Sequence, residues 1–246
     1  MRLLLPPSET KRDGGADGSS LALAELSFPE LTRPRRAALA GLRAISKSVA
    51  TSTAALGLGR TQRFEIDRNR AVSLSPTLPA IERYTGVLYD AIDVDGLDSD
   101  ARRFLGTRVI IHSALFGMIG ADDPIPAYRF SHDSRIPATS LAKLWRSENA
   151  GVLARQEGLV LDLRSESYVH LGPAGEQSLF LRVVSDDGSG HRRALNHFNK
   201  HGKGELVRAL AVAGVDFDTV ANLVDWSRSV GINLAPGADG ELDLVV

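Results

Sequence analysis

The chain has 246 residues, 43% hydrophobic and 24% charged, with a formal net charge of −1; such a length buries roughly 70–75% of its unfolded surface and suits one domain spanning 1–246. The absence of cysteine excludes disulfides, thiolate metal sites and a cysteine nucleophile. No apolar run approaches the roughly 18 residues that cross a bilayer, and Pro6-Pro7 breaks the first apolar run before a secretory core could form, so the expectation is a cytoplasmic protein with no membrane partner.

Met1 to Leu5 is a short apolar run stopped by two prolines, which reads as a buried strand. In open α/β sheets ligands gather beyond the carboxyl ends of strands. Ser8, Glu9 and Lys11 would stand there, although an ordinary solvated loop reads the same way. Residues 11–30 are polar and glycine-rich and read as a mobile connection. Thr32-Arg33-Pro34 opens a helix with Thr32 as cap; Leu39, Leu42, Ile45 and Val49 form its apolar face, and Arg36, Arg43 and Lys47 the opposite stripe.

From Arg33 to Arg70 the chain carries nine cations against two anions, whereas Asp90, Asp93, Asp95, Asp98 and Asp100 follow with no cation among them. Such asymmetry suits a polyanion-binding face, or simply solvated helix surfaces. Within the basic stretch, Gly57-Leu58-Gly59 lies between two helical patterns and is followed by Arg60 and Arg63. Glycines let backbone N–H groups approach a phosphate, so the arrangement suits a helix-hairpin-helix element that grips DNA without reading sequence; a plain turn between helices has the same signature.

Further along, residues 77–88 read as one helix and 100–105 as a short one. Residues 108–113 read as a central strand, and 124–130 as extended because two prolines interrupt them. Residues 140–156 form an amphipathic helix, 159–163 a strand and 179–184 another. A turn falls at Asp187–Gly190. Helices cover 200–213 and 219–228, the second capped by Asp218, and a hairpin closes the chain. Strands and helices alternate, so the fold class is α/β with a mixed sheet.

Polar groups recur after the strand patterns. Ser113 and Gly117 follow one, with Tyr128 and Arg129 able to stack on and bond a planar or anionic ligand. Asp162 and Ser165 follow another, with Ser165 as cap and Tyr168 as third residue of a short helix. Lys200, Lys203 and Arg208 fall on one helical segment and suit phosphate, or a buried lysine acting as an amine nucleophile. His191, His197 and His201 match no zinc motif, and no dinucleotide, nucleophile-elbow or Walker fingerprint occurs; neither metal nor cofactor is expected.

In order, Leu4-Leu5-Pro6-Pro7-Ser8-Glu9-Thr10-Lys11, Arg63-Phe64, Tyr84-Thr85-Gly86-Val87-Leu88-Tyr89, Ser113-Ala114-Leu115-Phe116-Gly117, Tyr128-Arg129, Leu144-Trp145, residues 161–168 and residues 200–208 resemble the peroxide stress protein YaaA family over nearly the whole chain. The resemblance implies an α/β domain with a helix-hairpin-helix element, a positive cleft, DNA binding and a cytoplasmic role limiting oxidative damage, connected with control of free intracellular iron. This chain departs from the family pattern where Glu9 holds a lysine position, with Lys11 as its substitute, where Asp162-Leu163-Arg164-Ser165 replaces Asn-Leu-Ala-Ser, and where Lys203-Gly204 replaces Arg-Gly.

The first functional reading is a DNA-binding protein of the peroxide stress response, taking double-stranded or damaged DNA without sequence preference. The alternative is an enzyme on a nucleobase, nucleoside or damaged DNA, in which the strand-end groups converge on a small nucleobase-like ligand. A third class is an interaction module using the acidic 90–100 segment.

Overall fold

The computed structural model describes residues 1–186, 192–194 and 199–246, with side chains for 1–185 and 199–246. In chain order the elements are β1 (Arg2–Leu5), α1 (Thr32–Ile45), α2 (Val49–Leu56), α3 (Phe64–Arg70), β2 (Leu78–Pro79), α4 (Ala80–Arg83), α5 (Val87–Ile92), α6 (Ser99–Arg108), β3 (Val109–Ser113), β4 (Gly117–Gly120), β5 (Pro124–Ile125), α7 (Leu141–Leu153), β6 (Val160–Asp162), α8 (Glu166–His170), β7 (Ser178–Asp186), β8 (Arg192–Ala194), α9 (Asn199–Ala213), α10 (Val220–Ser229), β9 (Asn233–Pro236) and β10 (Glu241–Val245).

The main sheet runs β4-β3-β1-β6-β7-β10-β9, with β8 added along β7. Strands β3, β1, β6, β7 and β10 are mutually parallel; β4, β8 and β9 pair antiparallel at its margins. The mixed α/β class is therefore as the sequence indicates. Leu3, Leu4 and Leu5 are fully buried, because β1 is covered on both faces, the usual reason a parallel strand reads as an unbroken apolar run. β1 leads to β3 on one side and β6 lies on its other side. This reversal of strand order opens a crevice beyond the carboxyl ends of β1 and β6.

Several local expectations change. The first helix is entered through a 3-10 turn at Pro29–Leu31, and Leu31, not Thr32, holds the cap position. Val49 begins α2 and is 46% exposed. The segment read as one helix over 77–88 is divided into β2, α4 and α5, because the Thr85 N–H turns out to the Thr10 carbonyl. Thr219, not Asp218, caps α10, its hydroxyl accepting from the Asn222 N–H at 3.2 Å. β4 carries no strand pattern in the sequence, because two of its four residues are glycine. The 11–30 connection is tied down, since the buried Arg83 guanidinium donates to the carbonyls of Arg12, Gly14 and Pro76. The predicted turn at 187–190 lies outside the described residues.

α9 packs on α5 by close backbone approach. A Cβ on Gly204 would lie 2.4 Å from the Leu88 carbonyl and 2.6 Å from Ala91 Cβ. Glycine is thus the residue that lets α9 lie against α5, and this seats the first turn of α9 over the crevice.

Candidate functional site: a lysine- and tyrosine-lined cleft at the strand-order reversal

Beyond β1 and β6 lies a cavity of about 290 Å³, walled by residues 6–9, Leu88, residues 130–132, Leu163, Ser165, Tyr168 and the first turn of α9. Of the predicted residues, Ser8, Glu9, Ser165, Tyr168, Lys200 and Lys203 line it directly. Arg129 joins through Glu9, its Nη2 donating to the carboxylate at 2.5 Å. Asn69 of α3 fixes the Arg129 backbone, accepting from its N–H at 2.8 Å and donating to its carbonyl at 2.9 Å. Glu9 is 57% exposed, so this pair orients the guanidinium more than it stabilises the fold.

Lys11 stands just behind the wall. Its Nζ donates to the carbonyls of Ser8 at 2.8 Å and Glu9 at 3.2 Å, and the Tyr128 ring covers it at 4.2 Å. Burial, partly opposed by the charge of Glu65, pulls its pKa down to about 7. Beneath it runs a hydroxyl chain: Ser113 Oγ lies 2.7 Å from Tyr128 Oη, itself 2.7 Å from Tyr84 Oη. Ser113 Oγ already accepts from the N–H groups of Leu115 and Phe116. Its single hydrogen must therefore go to Tyr128, whose own hydrogen goes to Tyr84. Tyr89 completes the group by donating to the Pro6 carbonyl at 2.7 Å. All four tyrosines of the chain are thus gathered at this end of the sheet, and burial raises the pKa of each.

Lys203 is 4% exposed and donates to the carbonyls of Leu163 at 3.1 Å and Arg164 at 3.5 Å. Among the described residues it has no carboxylate within salt-bridge distance. Burial lowers its pKa to about 8, with Asp162 opposing the shift. Lys200, one turn earlier, is exposed on the cavity rim.

Other predicted cleft residues lie elsewhere. Ser113 and Gly117 sit behind the wall: Ser113 belongs to the hydroxyl chain, and Gly117 packs on Trp145 and Asn149. Asp162 faces inward, where it binds Arg164 Nε at 2.9 Å, Nη2 at 2.7 Å and the Arg164 N–H at 3.0 Å. Arg164 Nη1 donates in turn to His112 Nδ1 at 2.8 Å, and burial followed by this guanidinium holds the His112 pKa well below its usual value. Asp162 therefore shapes the loop that Lys203 grips. Arg208 points away, tying α9 to the carbonyls of Ile92 and Asp93 and to the Asp93 carboxylate. Ser165 holds the cap position of α8, but its side chain makes no capping bond.

On the basic segment, Gly57 adopts φ 61° and ends α2, Leu58 is buried, and Gly59 leads through a short 3-10 turn into α3. Arg60 and Arg63 are exposed and their side chains make no hydrogen bond or ion pair among the described residues, while Arg68 and Arg70 are paired with acids. Phe64 beside them is 56% exposed. Arg35 leaves the basic face altogether: it is buried, donating to the carbonyls of Ser27, Phe116 and Met118.

The acidic segment is consumed locally. Asp90 accepts from the Gly86 N–H, Asp93 pairs with Arg208, Asp95 with Arg12 and Asp100 with Arg103, and Asp98 caps α6. His201 pairs with Glu205 at 3.2 Å, while His191 and His197 lie outside the described residues. Among the described residues no three His, Asp or Glu side chains are grouped to hold a metal, and no helix is long and apolar enough to cross a membrane.

Tyr84, Tyr89, Phe130 and His132 were not singled out as site residues. A tyrosine at a helical spacing reads as core, and nothing local says that four distant ones meet.

A family profile described as peroxide stress protein YaaA matches residues 1–231. The chain is 40% identical over 237 residues to a UPF0246 protein of Corynebacterium glutamicum, covering 94% of each chain. It is 40% identical over 253 positions to one of Corynebacterium efficiens, covering all of both. A UPF0246 protein of Streptomyces coelicolor is 37% identical over 257 positions, with 100% of this chain and 98% of the relative covered. This chain belongs to the peroxide stress protein YaaA family.

Proposed function

We propose that the chain acts in the peroxide stress response by binding DNA, double-stranded or damaged, through a helix-hairpin-helix element at Gly57–Gly59 set beside the cleft. The observation that carries this reading is the pair Arg60 and Arg63. They are exposed and without acidic partners among the described residues, at a glycine turn joining α2 to α3, in a chain whose other arginines are mostly paired. Exposed Phe64 adds an apolar surface for a sugar or an unstacked base. Asn69, in the last turn of α3, is hydrogen-bonded to the Arg129 backbone, which supports a reading in which the cavity takes an extrahelical nucleotide or a small nucleobase-like ligand.

The test is a fluorescence-anisotropy titration of a mixed-sequence duplex over a range of salt concentrations. Each phosphate neutralised adds about −0.9 to the slope of log K against log salt, so replacing Arg60 and Arg63 by glutamine should flatten the slope by about 2 and leave sequence preference absent. A slope unchanged by that pair refutes the hairpin as the interface. The connection with free intracellular iron rests on the family resemblance alone. It is tested by electron paramagnetic resonance of chelatable iron in cells lacking the gene, where unchanged iron removes that part of the reading.

A further inference from the structure

The two buried lysines are built alike and differ in one respect. Each gives hydrogens to two backbone carbonyls. A neutral amine has two N–H hydrogens and one lone pair, so both hydrogens are then engaged and the pair points away from the carbonyls. At Lys11 an aromatic ring 4.2 Å away covers the nitrogen, and Lys11 is not part of the cavity wall. At Lys203 the nearest ring, Phe180, lies 5.2 Å off, and the residue lines the cavity. Lys203 is also without a carboxylate partner among the described residues, and a buried ammonium with no counter-ion is costly.

An amine of this kind is suited to carbonyl addition. The same cavity carries a cation for an anionic group one helical turn away, Lys200 on the rim. Carbonyl and phosphate are both present in a ring-opened sugar phosphate. We infer that Lys203 captures the aldehyde of an abasic deoxyribose in DNA as a Schiff base, with Lys200 on an adjoining phosphate. This assignment rests on the DNA-binding reading above.

In the step, the Nζ lone pair forms a bond to the aldehyde carbon while the C=O π pair moves onto oxygen. The two nitrogen hydrogens leave with that oxygen as water, and a C=N bond remains. Leu88, Phe130, Tyr168 and the two prolines give the aldehyde a partly apolar wall, which disfavours hydrolysis of the imine. The lowered pKa of Lys203 supplies neutral amine near pH 7.5, where an ordinary lysine is almost wholly protonated, a difference of roughly two-hundredfold in reactive form.

The experiment incubates the full chain with a duplex bearing one abasic site, in sodium cyanoborohydride, and maps the reduced adduct by peptide mass spectrometry. Anisotropy on the undamaged duplex runs in parallel. An adduct on the Lys203 peptide is expected, lost in Lys203→Arg and Lys203→Met and unchanged in Lys143→Arg, which alters an exposed lysine on α7. Because the wild-type chain is mapped, the result does not depend on a variant folding. Binding without an adduct, or an adduct on other lysines, overturns the inference and leaves the DNA reading standing. If the duplex does not bind, the DNA reading fails, and trapping with free 2-deoxyribose 5-phosphate decides the rest: an adduct on Lys203 keeps the amine chemistry with a free sugar phosphate, and no adduct ends it.

Discussion

Replacing Asp162 by asparagine keeps the shape of the side chain and removes its charge. Asp162 is 3% exposed and the Arg164 side chain 0%, and Asp162 is the carboxylate that Arg164 pairs with. Arg164 donates to it through Nε and Nη2, and the Arg164 N–H makes a third bond. The variant leaves a buried guanidinium uncompensated and turns one acceptor into a donor facing Nη2. Removing one member of a buried, hydrogen-bonded pair costs about 3–5 kcal/mol, against a total stability of about 5–15 kcal/mol for a natural protein. For a chain of this size that corresponds to a fall in Tm of roughly 6–20 °C. Urea unfolding followed by tryptophan fluorescence measures it, since Trp145 donates to the Ala114 carbonyl in the same core. An Asp162→Leu/Arg164→Met double variant should recover much of the loss, because well-packed apolar groups replace such pairs at little cost. A loss below about 1 kcal/mol in Asp162→Asn would refute the structural role argued for the pair. Normal stability with ligand binding abolished would return Asp162 to the cleft.

Gly117→Ala should cost roughly 2–5 kcal/mol from left-handed strain and overpacking, since φ is +68° and the new Cβ would meet Trp145 at 2.7 Å and Asn149 at 2.8 Å. DNA affinity of the protein that remains folded should be unchanged, and a selective loss of affinity would mean that Gly117 belongs to the ligand surface after all. Stability should rise as pH increases from 7 to 9. Lys11 and Lys203 hold folded pKa values of about 7 and about 8 against an ordinary 10.5, so across this window the unfolded chain binds more protons. The slope is on the order of 1 kcal/mol per pH unit, and Lys11→Met should flatten it. Above about pH 10 the trend reverses, because the buried tyrosines keep protons that the unfolded chain releases. Urea midpoints at pH 7, 8 and 9 that stay level or fall would contradict the burial argument.

Much of the cleft was legible because its parts are local. An apolar run, a proline stop and polar residues beyond it identify a strand and its carboxyl-end loop, and this located Ser8, Glu9 and Ser165 on the cavity wall. Lys200 and Lys203 were read as one helical face. The structure separates them by environment, one exposed and the other 4% exposed, because Gly204 draws α9 down onto α5. Charge was less legible. Arg35 counts among the nine cations of the basic segment but donates to the carbonyls of Ser27, Phe116 and Met118, and Asp162 reads as a ligand-facing acid but neutralises Arg164.

The sequence by itself determined the alternation of strands and helices, the proline-terminated first strand, the glycine turn between α2 and α3, and the family. It could do so because hydrophobic period, backbone stiffness and glycine placement act over a few neighbouring residues. Only the tertiary structure decided that β1 lies between β3 and β6, pairing Leu3 with Val109 and with Leu161. That pairing joins residues more than a hundred positions apart, and no local pattern encodes it. With it came the meeting of Tyr84, Tyr89, Tyr128 and Tyr168, the uncovered amine of Lys203, and the choice of which cations remain free.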